Sequence, residues 1–182
     1  AMRESSGRHI SVKGGRFLEA VAKADTIVFD KTGTLTNAAP TVAKVVPFGG
    51  QNEAEMLRLA ACLEEHYPHS MANAVVAEAK RRGLTHEEYH SQVQYVVAHG
   101  ISSMVEEKKV IIGSAHFVFE DEGCRIPAGE QEKYDGLPAA YSHLYLCIDG
   151  KLAAVICIHD PLRREARDTV KALHDCGFTN VV

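Results

Sequence analysis

The run of apolar segments predicts an α/β fold in which one domain is interrupted by an inserted α+β domain built on an antiparallel sheet. Three observations lead there. A short apolar run, Thr26-Ile27-Val28-Phe29, ends in a polar turn containing Gly33 and reads as a buried strand of an open sheet. From Gln92 onward helical periodicity gives way to closely spaced strands. After Ile158 the pattern returns to helix, Pro161 to Cys176, and Val181-Val182 begins another strand. The expected division is therefore 1–37 and 157–182 for the interrupted domain, with 38–156 inserted between them.

The elements follow in order. Residues from about Gly7 to Thr36 read as an entry segment, a short helix and the Thr26–Phe29 strand. Thr41 to Phe48 alternates β-branched residues and carries a proline near its end, as an edge strand does. Asn52 is placed to cap a helix through Glu65, with Glu55 three positions on and Met56, Leu59, Ala60 and Leu63 at helical spacing. A second helix runs from Ser70 to Arg82 and stops at Gly83. Strands are expected at Val93–Ala98, Ile101–Glu106 and Val110–Ile112, then a short helix from Ala115 to Glu122. Leu144–Ile148 and Leu152–Ile158 flank Asp149-Gly150, a hairpin signal. Asp160 reads as a cap and Pro161 as the first residue of the last helix.

Composition narrows the function classes. A chain of 182 residues with 46% hydrophobic and 24% charged residues has ordinary globular make-up and enough length for a real core. A formal charge of −4 and no basic stripe give no footing for nucleic acid. The five cysteines are scattered, which fits neither a disulfide framework nor a zinc ribbon and suits a reducing compartment. No stretch of about 18 uninterrupted apolar residues occurs. His86-Glu87-Glu88-Tyr89-His90 has the spacing of a zinc-protease helix, but no third ligand accompanies it and it reads as a solvated connection.

The chemistry concentrates in Asp30-Lys31-Thr32-Gly33-Thr34-Leu35-Thr36. A carboxylate at the carboxyl end of a strand sits where open α/β sheets bind ligands. The glycine and hydroxyl residues after it make a tight turn with backbone N–H groups free to hold phosphate oxygens. A carboxylate in that setting is a nucleophile able to form an aspartyl phosphate. These seven residues resemble the phosphorylation signature of P-type ATPases, and Ser11 to Glu19 resembles the entry to the phosphorylation domain in the heavy-metal-transporting branch. The interrupted layout is similar to that family as well, so the resemblance covers essentially the whole chain. It implies a partial haloacid-dehalogenase-like, Rossmann-type phosphorylation domain with an inserted nucleotide-binding domain.

The resemblance implies Asp30 as the phosphorylated nucleophile, with Lys31, Thr32 and Thr34 around the transferring phosphoryl group. Mg²⁺ would take the Asp30 carboxylate and the Thr32 carbonyl, and ATP is the implied substrate. The alternative is a haloacid-dehalogenase-like phosphatase or phosphotransferase. Such enzymes usually carry a second Asp two positions on as general acid and base; this chain has Thr32, which cannot serve, and so resembles a pump more than a phosphatase.

For the nucleotide, Glu64-Glu65-His66-Tyr67-Pro68-His69-Ser70 is similar to the Ser-Glu-His-Pro motif that recognises adenine in the heavy-metal branch. Tyr67 interrupts it. Either His66 keeps the adenine role with Glu65 through a one-residue bulge, which this reading favours, or Tyr67 stacks on the base. His69-Ser70-Met71-Ala72 continues as in that branch. Gly100 matches the second glycine of a Gly-x-Gly whose bare backbone approaches the nucleotide, with Ala98 at the first. Gly113-Ser114 matches a pocket-bordering pair, with a strand-to-helix turn capped by Ser114 as the alternative. Asp160-Pro161-Leu162-Arg163 with Glu165-Ala166 resembles the segment re-entering the phosphorylation domain, a structural role.

The resemblance further implies that the chain is a piece of a multi-pass membrane pump, on the cytoplasmic side. Its partners would be ATP, the remaining phosphorylation, actuator and transmembrane domains, and a transported heavy-metal ion. The segments completing the catalytic site in the family should lie just past Val182, so this piece is expected to bind nucleotide and to phosphorylate itself poorly.

Overall fold

The computed structural model describes residues 2–37, 39–84, 90–96 and 100–182, with backbone alone for residues 2, 3, 32 and 90–96. The chain forms two compact units, Ala1–Thr36 with Leu162–Val182, and Asn37–Pro161. The expected boundary at 156 would cut a strand, β7 (Lys151–His159), and the structure keeps that strand whole within the second unit.

The first unit holds α1 (Met2–Gly7), α2 (Gly15–Ala22), β1 (Thr26–Ile27), α6 (Ala166–Asp175) and β8 (Asn180–Val181). β1 and β8 pair in parallel, Thr26 with Asn180 and Ile27 with Val181. Parallel pairing through a helix between them is the unit from which doubly wound sheets are made. The expected buried strand is corrected here: only Thr26–Ile27 is strand, and Val28 is 73% exposed. A two-stranded sheet has no second layer against which Val28 could be buried, and α2 buries none of its residues.

The last helix is also corrected. Pro161 is not its first residue, since Leu162 forms an antiparallel bridge with Thr36 and the helix begins at Ala166, with Glu165 at the N-cap. The Pro161 carbonyl accepts the Asn37 N–H at 3.2 Å, and the Arg163 N–H bonds Leu35 O at 2.8 Å. Those extended-chain bonds hold residues 161–163 out of the helix.

The second unit is a six-stranded sheet, ordered β2-β7-β6-β5-β4-β3 and antiparallel throughout. β2 (Thr41–Pro47) lies at the edge, as its proline requires. β3 (His90–Val96), β4 (Gly100–Val105) and β5 (Lys108–Gly113) form a meander, and β6 (Ser142–Ile148) turns into β7 at Asp149-Gly150. Both turn residues have positive φ, 47° and 74°, as a two-residue hairpin turn matching strand twist demands.

The two faces of the sheet bury separate cores. On one face α3 (Glu53–Glu64) and α4 (Ser70–Arg81) cover Ile101, Val110, Ile112, Leu146 and Ile156. On the other, the turn His116–Asp121 and α5 (Gln131–Asp135) lie by Phe48, Ile111, Phe117, Cys147 and Val155. Alternation along β5 sends Ile111 to one core and Ile112 to the other. Residues 116–121 wind more widely than the expected α-helix, and Ser114 Oγ accepts the Phe117 N–H at 3.3 Å. Asn52 caps α3 as the sequence predicts, its Oδ1 accepting from Ala54 and Glu55 N–H at 2.9 and 3.2 Å. Four cysteines are buried and Cys176 is exposed; burial pushes the Cys147 thiol far up. No helix among the described residues is long and apolar enough to cross a membrane.

Candidate functional site

Asp30 stands at the carboxyl end of β1, exposed to solvent. The strand is carried to that point by Phe29 N–H donating to Val182 O at 2.7 Å and Val182 N–H donating to Ile27 O at 3.0 Å. Residues Lys31–Leu35 then close a wide turn, with Thr36 N–H on Lys31 O at 3.1 Å. Gly33 adopts φ 80°, which a side chain would oppose.

One expectation about this loop is corrected. The Gly33 N–H is not free for phosphate, because it donates to Thr36 Oγ1 at 3.0 Å. Thr36 is fully buried, and a buried hydroxyl takes the nearest partner. Lys31 and Thr34 are exposed in the same turn, and the Thr32 hydroxyl lies outside what the structure describes. The chain brings to the loop a further residue, expected only to help connect the domains. Arg163 donates from Nε to Thr34 O and Thr36 O at 3.0 and 3.1 Å, and from Nη2 to Gly33 O at 3.2 Å.

In the other unit, Gly100 opens β4 and Gly113 ends β5, and the two are direct partners in the ladder. Both therefore lie at one end of the sheet, and the β4–β5 turn at Glu106-Glu107 lies at the other. A cavity of about 380 Å³ at the turn end has Glu55, Met56 and Leu59 of α3 on one wall and Val105, Glu106 and Lys108 on the other. Arg58 and Cys62 line it as well, so α3 borders this cavity along most of its length.

The residues at the end of α3 and in the turn after it are not equally built for recognition. Glu65 and His66 are exposed, and Glu65 Oε1 lies 3.7 Å from Lys80 Nζ of α4. Tyr67 is half-buried against the α3–α4 core. Glu64 is different: it is 2% exposed, and its Oε2 lies 3.2 Å from His69 Nε2. His69 caps α4, its Nδ1 accepting the Ala72 N–H at 3.3 Å. With Nδ1 accepting, the neutral ring carries its proton on Nε2, facing Glu64. By accepting from His69 Nε2, the Glu64 carboxylate raises the His69 pKa above its ordinary 6.5, against an opposing push from burial. The sequence signal for this pair was present: reading back from Ser70-Met71-Ala72 without a bulge reaches His69, and Glu64 is five residues before it.

Gly100 carries a different constraint from the one expected. A Cβ there would fall 2.5 Å from Phe117 Cδ1 and closer still to the Ile112 carbonyl oxygen. The protein's own core already demands glycine at this position. Ala98 and His86–Tyr89 lie outside the described residues, and no group of three or more metal-ligating side chains occurs among the described ones.

A family model of haloacid dehalogenase-like hydrolases matches residues 24–182. A copper-exporting P-type ATPase of Mycobacterium leprae is 34% identical over 98% of this chain and 22% of its own length. A zinc-exporting P-type ATPase of Mycobacterium marinum is 31% identical over the whole chain and 25% of its own length. The chain thus spans about a quarter or less of these relatives. Among solved structures, a zinc-transporting PIB-type ATPase in the E2.Pi state superposes with a TM-score of 0.60 at 26% identity, over 99% of this chain and 29% of the other. The catalytic domain of the CPx-ATPase CopB-B matches with a TM-score of 0.66 at 21% identity, over 99% of this chain and 60% of that one, a likeness of fold. With the Asp30 loop at the end of a strand in a parallel pair, these matches make the chain a member of the haloacid-dehalogenase-like hydrolase family, in the branch formed by the catalytic segments of heavy-metal P-type ATPases.

Proposed function

We propose that this chain is the nucleotide-binding and aspartyl-phosphorylation segment of a membrane pump that couples ATP hydrolysis to export of a heavy-metal cation. The observation that carries the reading is the Asp30–Thr36 loop, folded at the carboxyl end of β1 with its carboxylate exposed. Residues 1–36 and 162–182 belong to the phosphorylation domain in this reading, and 37–161 form the nucleotide-binding domain. Relatives named for copper, zinc, silver and manganese support a heavy-metal cation as cargo and nothing narrower. The membrane-spanning and actuator parts, and the placing of this segment on the cytoplasmic side, belong to the same proposal.

In the reaction, an Asp30 carboxylate oxygen attacks the γ-phosphorus of ATP. The new O–P bond forms as the bond to the β,γ-bridging oxygen breaks, and ADP departs with that electron pair. Mg²⁺ suits the oxygen donors here, an exposed Asp30 carboxylate and a backbone carbonyl. Asp30 and the Thr32 carbonyl would hold it, and bound there it would neutralise charge on the transferring group. Lys31 and Thr34 add positive charge and a hydroxyl to the same turn. Thr32 in place of an acidic residue leaves no general base two positions on, which favours a persistent acyl phosphate.

For adenine we propose Glu64 and His69, with Tyr67, Gly100 and Gly113 bordering the site, in preference to Glu65 and His66. Burial beside the His69 ring equips Glu64 to accept from an exocyclic amine, and the α4 cap holds that ring. Calorimetric titration of this chain with a non-hydrolysable ATP analogue tests it. His69→Ala should weaken binding at least tenfold, about 1.4 kcal/mol, and His66→Ala less than twofold. The reverse order would return the site to His66. No binding by the folded parent would remove the nucleotide domain from the proposal.

A further inference from the structure

We propose that Arg163 is a positioning residue for phosphoryl transfer, one that sets the polarity of the Asp30 loop without touching the phosphate. This rests on the reading of Asp30 as the phosphorylated residue. Four successive carbonyls, those of Gly33, Thr34, Leu35 and Thr36, are all bonded by this one residue through its side chain and its backbone N–H. Arg163 lies more than a hundred positions from the loop in sequence, and Leu162 beside it bridges Thr36 in strand fashion.

The consequence follows from peptide planarity. A carbonyl and the N–H of the next residue point in opposite directions. Drawing the Gly33 carbonyl to the guanidinium turns the Thr34 N–H to the other side of the loop. Holding the Thr34 and Thr36 carbonyls likewise keeps their lone pairs off that side. A flipped peptide would instead present a carbonyl dipole to an incoming phosphate, which is repulsive. The loop thus has two anchors: Thr36 Oγ1 takes the Gly33 N–H, and Arg163 takes the carbonyls. The remaining guanidinium nitrogen, Nη1, lies 4.0 Å from Glu165 Oε1. The Nε and Nη2 edge of the guanidinium is turned to the carbonyls, and through that edge Arg163 acts on the loop. The planar fork is essential, since a lysine's compact ammonium on a flexible stem does not hold two donor nitrogens in one plane.

The test uses the complete protein that carries this chain, with acyl-phosphate formation from γ-labelled ATP followed at saturating nucleotide. Arg163→Ala should slow labelling about a hundredfold, the scale at which misplacing a reacting group is felt, with ATP-analogue affinity within twofold of the parent. Millimolar guanidinium or ethylguanidinium should restore at least tenfold, a response that a purely architectural residue would not show. Arg163→Lys should stay at least tenfold slow. Labelling of Arg163→Lys at the parental rate overturns the proposal, as does a folded Arg163→Ala protein that guanidinium does not rescue. A parent that forms no hydroxylamine-labile phosphate, or one equally labelled after Asp30→Asn, removes the phosphorylation reading and this proposal together.

Discussion

Replacing Gly100 by alanine isolates a packing constraint that sits inside the proposed nucleotide domain. The added Cβ would lie 2.5 Å and 2.7 Å from Cδ1 and Cε1 of Phe117, and closer still to the Ile112 carbonyl oxygen. Neither neighbour has room to yield. Phe117 is 2% exposed, and Ile112 belongs to β5, hydrogen-bonded on both sides by β4 and β6. Backbone torsion does not add to the cost, because Gly100 is not among the residues with positive φ. Overpacking of this kind costs about 1–3 kcal/mol, offset by roughly 0.5 kcal/mol from the stiffer unfolded chain. For a unit spanning residues 37–161, a net loss of about 2 kcal/mol lowers Tm by roughly 5–10 °C. Circular dichroism melts and urea midpoints would read it directly. Phe117→Leu in the Gly100→Ala background should show favourable coupling of about 0.5–1.5 kcal/mol, since it relieves the ring contact and leaves the carbonyl contact. A Gly100→Ala protein melting within about 1 °C of the parent, or a cycle with zero coupling, would refute the steric argument.

Further outcomes follow from the polar contacts. The raised His69 pKa makes the Glu64 pair a stabilising element that is fully present below pH 6.5 and lost as pH rises through the raised folded-state value. Histidine NMR titrations and urea midpoints across that window should show the loss, and Glu64→Gln should bring the His69 titration down and flatten the profile. Glu78 has the opposite sign: hydrogen bonds from Arg81, then Arg82, lower its pKa to about 2 against burial, so its contribution is present above pH 4.5 and lost as pH falls toward 2. Glu78→Gln should remove that acid-limb slope from a stability profile. Asn52→Ala strips both N-cap bonds from α3 and should cost about 1 kcal/mol in a urea titration.

Local features were legible in the residues because each needs only a few neighbours. The Asp149-Gly150 hairpin, the Asn52 cap, the edge strand with Pro47 and the break at Gly83 are short-range stereochemistry, and the folded chain shows all of them. Errors arose where distant segments compete with a local signal. Pro161 looked like a helix start, but strand-like bonds to residues 35–37 displaced the helix to Ala166. Val28 looked buried by its apolar character, yet burial depends on a second layer that the β1–β8 pair does not supply.

The Asp30 loop shows the same division within one site. Asp30, the proposed nucleophile, and the glycine turn are contiguous in sequence, so covalent order and φ/ψ restriction alone determine them. The partners of that turn are not contiguous. Arg163 reaches Gly33, Thr34 and Thr36, and Phe117 meets Gly100, only because sheet pairing and core packing bring those residues within a few ångströms. The proposed preference for His69 over His66 also rests on burial, since both are histidines beside a glutamate and only Glu64 is withdrawn from water. Residue order determined where the chemistry lies; desolvation and packing, which exist only in the folded chain, decided which side chains support it.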